Sequence, residues 1–153
     1  MKGGFIHNHI LLSPIANEAT RLGMHVTCEA PIRVQNKVFF GDLLIQSDVL
    51  RILVETEMSP RRVENDLVKA AALNVSELWI VVPHFGMARL VRWKLSELGI
   101  GPEIPGLFVL VLPQAIQRLR NFYQLNSVSD TKTEKKKKMG NHHHERSIQW
   151  VEN

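Results

Sequence analysis

An α/β fold built on a mixed central sheet is predicted by two contrasting halves of the chain. In the second half, apolar runs of strand length, ELWIVV at 77–82 and LFVLVL at 107–112, alternate with helical patterns. Strands apolar on both faces and separated by helices pair in parallel under a helical cover. In the first half, three strand-like segments follow one another through the short turns Gln35-Asn36-Lys37 and Gln46-Ser47-Asp48. Turns that short permit only antiparallel hairpins.

In chain order, Ser13-Pro14 is an N-cap and first-turn pair, and Ile15, Ala19 and Leu22 follow at helical spacing before Gly23, which predicts a helix over 14–22. Residues 25–34 read as a strand in which Val26, Cys28, Ala30 and Ile32 form one alternating apolar set, interrupted by Pro31. Strands over 39–45 and 51–57 come next. Ser59-Pro60 then opens a helix to residue 73, with Val63, Leu67, Ala70 and Ala71 as its apolar face. After the strand at 77–82, MARLVRWKLSEL predicts a helix whose face is Leu90, Trp93 and Leu98 and whose stop is Gly99. Pro113 opens a last helix, expected to end near Phe122.

These elements give one domain over 1–123, followed by a basic tail over 124–153. From Asn126 the apolar signal collapses, so the tail is expected to be disordered. Its histidines 142–144 lie in a flexible polar tract, which is compositional and not a zinc spacing. At 153 residues and 44% hydrophobic the chain is long enough for a real core, and its apolar runs are too short to span a membrane. The N-terminal MKGGFIHNHILLSPIA, with His7-Asn8-His9 inside its apolar patch, makes a poor signal peptide. Cys28 is the chain's single cysteine, which rules out an internal disulfide and makes a cytoplasmic location the expectation. A net charge of +4 is compatible with nucleic acid without requiring it.

The chemistry is concentrated in FFGDLLIQSDVLRILVETEMSPRRVENDLVK, residues 39–69. Residues two apart in a strand share a face, so Glu55 and Glu57 project together, and the hairpin brings Asp42 near Glu55. The ordinary alternative is a solvated acidic face. Convergent oxygen ligands, however, suit Mg²⁺ or Mn²⁺, and the Thr56 carbonyl is a candidate fourth ligand. Arg62, Asn65 and Lys69 form a polar stripe on the following helix, and Arg61 adds a second cation at its start.

Helix, hairpin strands carrying Gly41-Asp42, the triplet Glu55-Thr56-Glu57, a basic helix and an apolar strand together resemble the PD-(D/E)XK nuclease-like superfamily, over roughly 14–83. The resemblance implies a restriction-endonuclease-like core with a C-terminal βα extension. It implies Asp42 as the metal-binding aspartate and Glu55 as the acidic residue of the triplet. Glu57 stands where the family's lysine is expected, and this is where the chain departs from the pattern. A carboxylate cannot stabilise charge developing on phosphorus as an ammonium does, so Glu57 is read as an added ligand or a base, and Lys69 or Arg62 as the displaced cation. Glu18 sits where some members of the family carry a further acidic residue.

The function expected from this is a Mg²⁺- or Mn²⁺-dependent nuclease with Asp42, Glu55, Glu57 and Lys69 at its centre, and Arg61, Arg62 and Lys69 on the nucleic acid, DNA by expectation. A homodimer is a further implication of the resemblance. The alternative is a nuclease-fold module that has lost the chemistry and binds nucleic acid or a protein partner. No aromatic array at strand spacing marks a base-stacking platform.

Overall fold

The structure, a computed structural model, describes residues 6–101 and 104–133. A π-helical turn, Ile6–Leu12, runs into helix α1, Ser13–Arg21, with Pro14 in its first turn; Ser13 is not the expected N-cap, a position held by Leu12, and its Oγ donates instead to the Asn8 carbonyl at 2.7 Å. Strands β1 (His25–Val34), β2 (Lys37–Gln46) and β3 (Arg51–Thr56) follow. A 3₁₀ turn, Pro60–Arg62, leads into α2, Val63–Leu73. Then come β4 (Glu77–Val82), α3 (Phe85–Glu97), β5 (Leu107–Val111) and α4 (Leu112–Thr133). The sheet has five strands in the order β1-β2-β3-β4-β5. The first three are antiparallel to one another, and β3, β4 and β5 are parallel. The fold is therefore α/β with a mixed sheet. No described helix is long and apolar enough to cross a membrane.

Each face of the sheet carries a pair of helices. Leu44, Leu53, Leu78 and Ile80 pack against Val63, Leu67 and Ala70 of α2 and Ala88, Val91 and Leu95 of α3. The other face packs Leu43, Ile52, Trp79 and Val81 against Ile15 and Ala19 of α1 and Ala115 and Leu119 of α4. A buried charge on that second face is fully paired: Glu77 accepts from Trp79 Nε1 at 2.6 Å and from both Nε and Nη2 of Arg118, at 3.0 and 2.7 Å. The Arg118 guanidinium also lies 3.6 Å from the Phe108 ring centroid, so the ion pair is tied into apolar packing.

Four further details differ from the sequence reading. In α3 the buried face is Ala88, Val91 and Leu95, while Leu90 and Trp93 are exposed; the helix meets the sheet through its smaller side chains. In α2 Ala71 is exposed, and Asp66 is buried alongside Val63, Leu67 and Ala70. The last helix passes Phe122 and continues to Thr133, into the stretch read as tail. The lysine block 135–138 and histidines 142–144 lie outside the described residues.

The fourth of these differences shapes the site. Val26 packs on one face of the sheet, whereas Ala30 and Ile32 pack on the other. The change falls at Glu29, whose φ of 48° breaks the regular alternation between the pairs Cys28↔Leu43 and Ala30↔Gly41. Beyond this kink, β2 keeps its pairing with β1 but leaves β3, where pairing stops at Leu43↔Val54. Residues 29–42 thus form a two-stranded arm that projects past the end of β3.

Gly41 sits at the root of the arm. A Cβ there would lie 2.7 Å from Leu53 Cδ1, 3.2 Å from Ile32 Cδ1 and 3.3 Å from Glu55 Oε1. Gly41→Ala is accordingly expected to lower stability by about 1–3 kcal/mol, the usual cost of overpacking, seen as a melting temperature several degrees lower. A melting curve unchanged from wild type would show that the arm has slack.

Candidate active site

Where β2 parts from β3, a cleft of about 610 Å³ opens between the arm and the first turns of α2. Asp42, Glu55, Thr56, Glu57, Asp66 and Lys69 line it.

The backbone explains why Asp42 points there. Alternate amides of a strand face opposite neighbours. Glu57 N–H donates to the Val81 carbonyl of β4 at 3.0 Å, so Thr56 N–H faces the β2 side, where the ladder has ended. The Asp42 carboxylate supplies the missing acceptor: its Oδ2 accepts from Thr56 N–H at 2.8 Å and from Thr56 Oγ1 at 2.9 Å. Asp42 is thereby fixed at the strand end, beside Glu55.

Glu55 is 2% exposed and Glu57 5%, so neither lies on a solvated face. Lys69, from the second turn of α2, donates from Nζ to Glu55 Oε2 at 3.0 Å and stands 3.6 Å from Asp66 Oδ1. The other Glu55 oxygen, Oε1, is buried without a hydrogen bond of its own; the Asp42 N–H lends the carboxylate only the weakest of its favourable contacts. Burial, and then the neighbouring Asp42 charge, push Glu55 up to about 7 against the pull of Lys69. Burial likewise raises Glu57. Asp66, buried and facing both Glu55 and Glu57, is pushed up to about 10. At neutral pH Asp66 therefore keeps its proton and shares a hydrogen bond with Glu57. Burial pulls Lys69 down, but Glu55 and Asp66 outweigh it and leave its ammonium more firmly protonated than usual.

Of the residues singled out in the sequence, the cleft brings together Asp42, Glu55, Thr56, Glu57, Arg62, Asn65 and Lys69. Arg61 is exposed beside it and is not among its lining residues. Glu18 is elsewhere, on the helical layer that covers the opposite face. It accepts from Arg21 at 2.6 Å and from Arg120 at 2.8 Å, which hold its carboxyl at about 2 and tie α1 to α4. Asp66 was missed. Its signal was present in the sequence: Val63, Asp66, Leu67 and Ala70 fall at i, i+3, i+4 and i+7, and a carboxylate occupies a slot of that stripe that should be apolar.

The donor chemistry fits a hard cation, being all oxygen and carrying more negative than positive charge. The unsatisfied Glu55 Oε1 is an acceptor in want of a partner. Among the described residues, no group of three or more His, Cys, Asp or Glu side chains that could hold a metal ion is found. Lys69 holds one oxygen of Glu55, and Thr56 holds one of Asp42.

No protein-family model and no curated protein matches the chain. Among solved structures it is similar to that of a protein of unknown function, AF1548, at 12% identity and a TM-score of 0.42, over 61% of this chain and 59% of that one. The chain thus spans under two thirds of that protein's length.

The buried carboxyls give stability a defined pH dependence. Unfolded, Asp66 loses its proton near 3.8, and folded it keeps it to about 10, so between these limits the native state binds more protons and stability falls as pH rises. Glu55 adds to the fall between 4.5 and about 7. Asp66→Asn keeps a donor for Glu57 and removes the larger share of this cost. The variant is expected to melt several degrees above wild type at pH 8, corresponding to about 1–3 kcal/mol. The gap should close towards pH 4. Parallel melting profiles from pH 4 to 8 would show that Asp66 is ionised in the native protein.

Proposed function

We propose that this protein is a metal-dependent nuclease of the PD-(D/E)XK type, on a restriction-endonuclease-like core, in which the lysine has moved from the strand triplet to helix α2. One observation carries the reading. Lys69 Nζ reaches Glu55 Oε2 at 3.0 Å from the helix, in the cleft that also holds Asp42, while Glu57 occupies the strand position of the expected lysine. An ammonium on the following helix can serve the same cleft as one on the strand.

Asp42 and Glu55 are the residues that would hold Mg²⁺ or Mn²⁺, with Glu57 and the Thr56 carbonyl at its margin. When bound there, the ion supplies Lewis-acid polarisation of the phosphodiester and of the attacking water. Lys69 stabilises the negative charge that develops on the phosphoryl oxygens; a buried ammonium does this better than a solvated one because the surroundings screen it less. Glu57 accepts a proton, and Asp66, protonated at neutral pH, orients its carboxylate. Arg62, at the lip of the cleft, contacts the phosphate backbone.

A second reading, a module that binds nucleic acid without cutting it, draws on the Asp42–Thr56 contact. That contact gives Asp42 a purely structural task. Cleavage separates the two. Mn²⁺-dependent hydrolysis of mixed DNA and RNA substrates is expected, and Glu55→Gln should abolish it. Lys69→Ala should slow single-turnover cleavage by about 10²–10³-fold while Mn²⁺ affinity stays within a few-fold. Full activity in Lys69→Ala would exclude the migrated lysine, and no hydrolysis by wild type would leave the binding module.

A further inference from the structure

The arm carries a feature that the metal chemistry does not use. Phe40 is 59% exposed, yet it lines the cleft, two residues from Asp42 along β2. Two residues in a strand span roughly 6.5–7 Å, so the ring stands about one nucleotide from the carboxylates. Singly exposed apolar side chains are ordinary; what sets Phe40 apart is that it lines a cleft together with carboxylates and an ammonium. Its cross-strand partner Pro31 is also exposed, and so is Val38, two residues away towards the tip. The free surface of the arm is thus apolar where it faces outward.

Charge complements this surface. The arm presents exposed Arg33 and Lys37 and has no acidic residue between Ala30 and Gly41. Exposed Arg62 lines the cleft, and Arg61 is exposed beside it. An acidic floor alone would repel a polynucleotide, whereas Arg62 and Lys69 in the cleft offer its backbone cations. An aromatic side chain beside cations that can reach the backbone, here Phe40 with Arg62 and Lys69, is a combination that holds single strands, because every base has a face to stack. A cleft of about 610 Å³ is the size of a pocket for a small ligand.

We propose that Phe40 stacks on an unpaired base next to the scissile phosphate, so that the substrate of this cleft is a single-stranded polynucleotide. The assignment rests on the nuclease reading for the position of the phosphate. The stacking itself can be measured apart from cleavage.

The test uses the full chain with Ca²⁺ in place of Mn²⁺, and single-stranded and duplex oligonucleotides carrying 2-aminopurine. Wild type should bind the single strand at least tenfold more tightly than the duplex, with a change in 2-aminopurine fluorescence that reports stacking. Phe40→Ala should weaken single-strand binding by about 5- to 100-fold and abolish the fluorescence change. Phe40→Leu should fail to restore either, and Phe40→Trp should restore both. Because the side chain is exposed, all three variants should melt as wild type does. Unaltered single-strand affinity in Phe40→Ala, or equal affinity for duplex, would overturn the proposal. Cleavage with Mn²⁺ keeps the two readings apart: hydrolysis that ignores Phe40 leaves the nuclease and removes the stacking. Aromatic-dependent binding without hydrolysis does the reverse.

Discussion

The Asp42 carboxylate on the Thr56 amide is the contact on which the rest of the cleft depends. A strand end with an unpaired amide is unstable when buried, and β2 cannot supply the acceptor from its backbone, having turned away at the kink opposite Glu29. The side chain fills that role. In doing so it fixes where the arm leaves the sheet, how far the cleft opens, and where the Asp42 charge stands relative to Glu55. Gly41 allows the close approach, since any side chain there would strike Leu53.

Electrostatics follows from this geometry. Placing Asp42, Glu55, Glu57 and Asp66 around a largely buried cleft costs free energy that apolar packing does not return. Two devices lower the cost: Asp66 stays protonated, and Lys69 pairs with Glu55. Both reduce the negative charge without removing it. On the proposed function, a bound divalent cation would neutralise the surplus and stabilise the folded state by mass action.

The order of elements was legible because it depends on local signals. Ser59-Pro60 marked the turn that leads into α2, the turn at 35–37 marked a hairpin, and the continuous apolar runs at 77–82 and 107–111 marked parallel strands; Ser13-Pro14 marked no start, because the helical chain already begins at Ile6. The triplet Glu55-Thr56-Glu57 and the stripe containing Lys69 were legible for the same reason, since period two and period 3.6 place them on definite faces. What was not legible depends on tertiary context. Nothing in the strand pattern of 25–34 announces that the chain changes faces at Glu29, because alternation assumes regular φ. Leu90 and Trp93 were placed on the packing face by helical spacing, whereas α3 approaches the sheet through Ala88, Val91 and Leu95. Asp66 was overlooked although its spacing put a carboxylate in the apolar stripe of α2; only the fold shows it buried beside Glu57 and Lys69. Phe40 passed as one of a strand's apolar residues until the arm was seen to leave the sheet.

The central claim is that the surplus charge of the cleft is a cation site and not a structural network complete in itself. Thermal unfolding of wild type, Asp42→Asn and Glu55→Gln with and without millimolar Mn²⁺ tests it most directly. The account predicts that Mn²⁺ raises the melting temperature of wild type by several degrees, because an ion that binds only the folded state stabilises it by mass action. It predicts that either substitution removes the shift. Equal melting temperatures with and without Mn²⁺ in wild type, or a shift that survives in both variants, would contradict it.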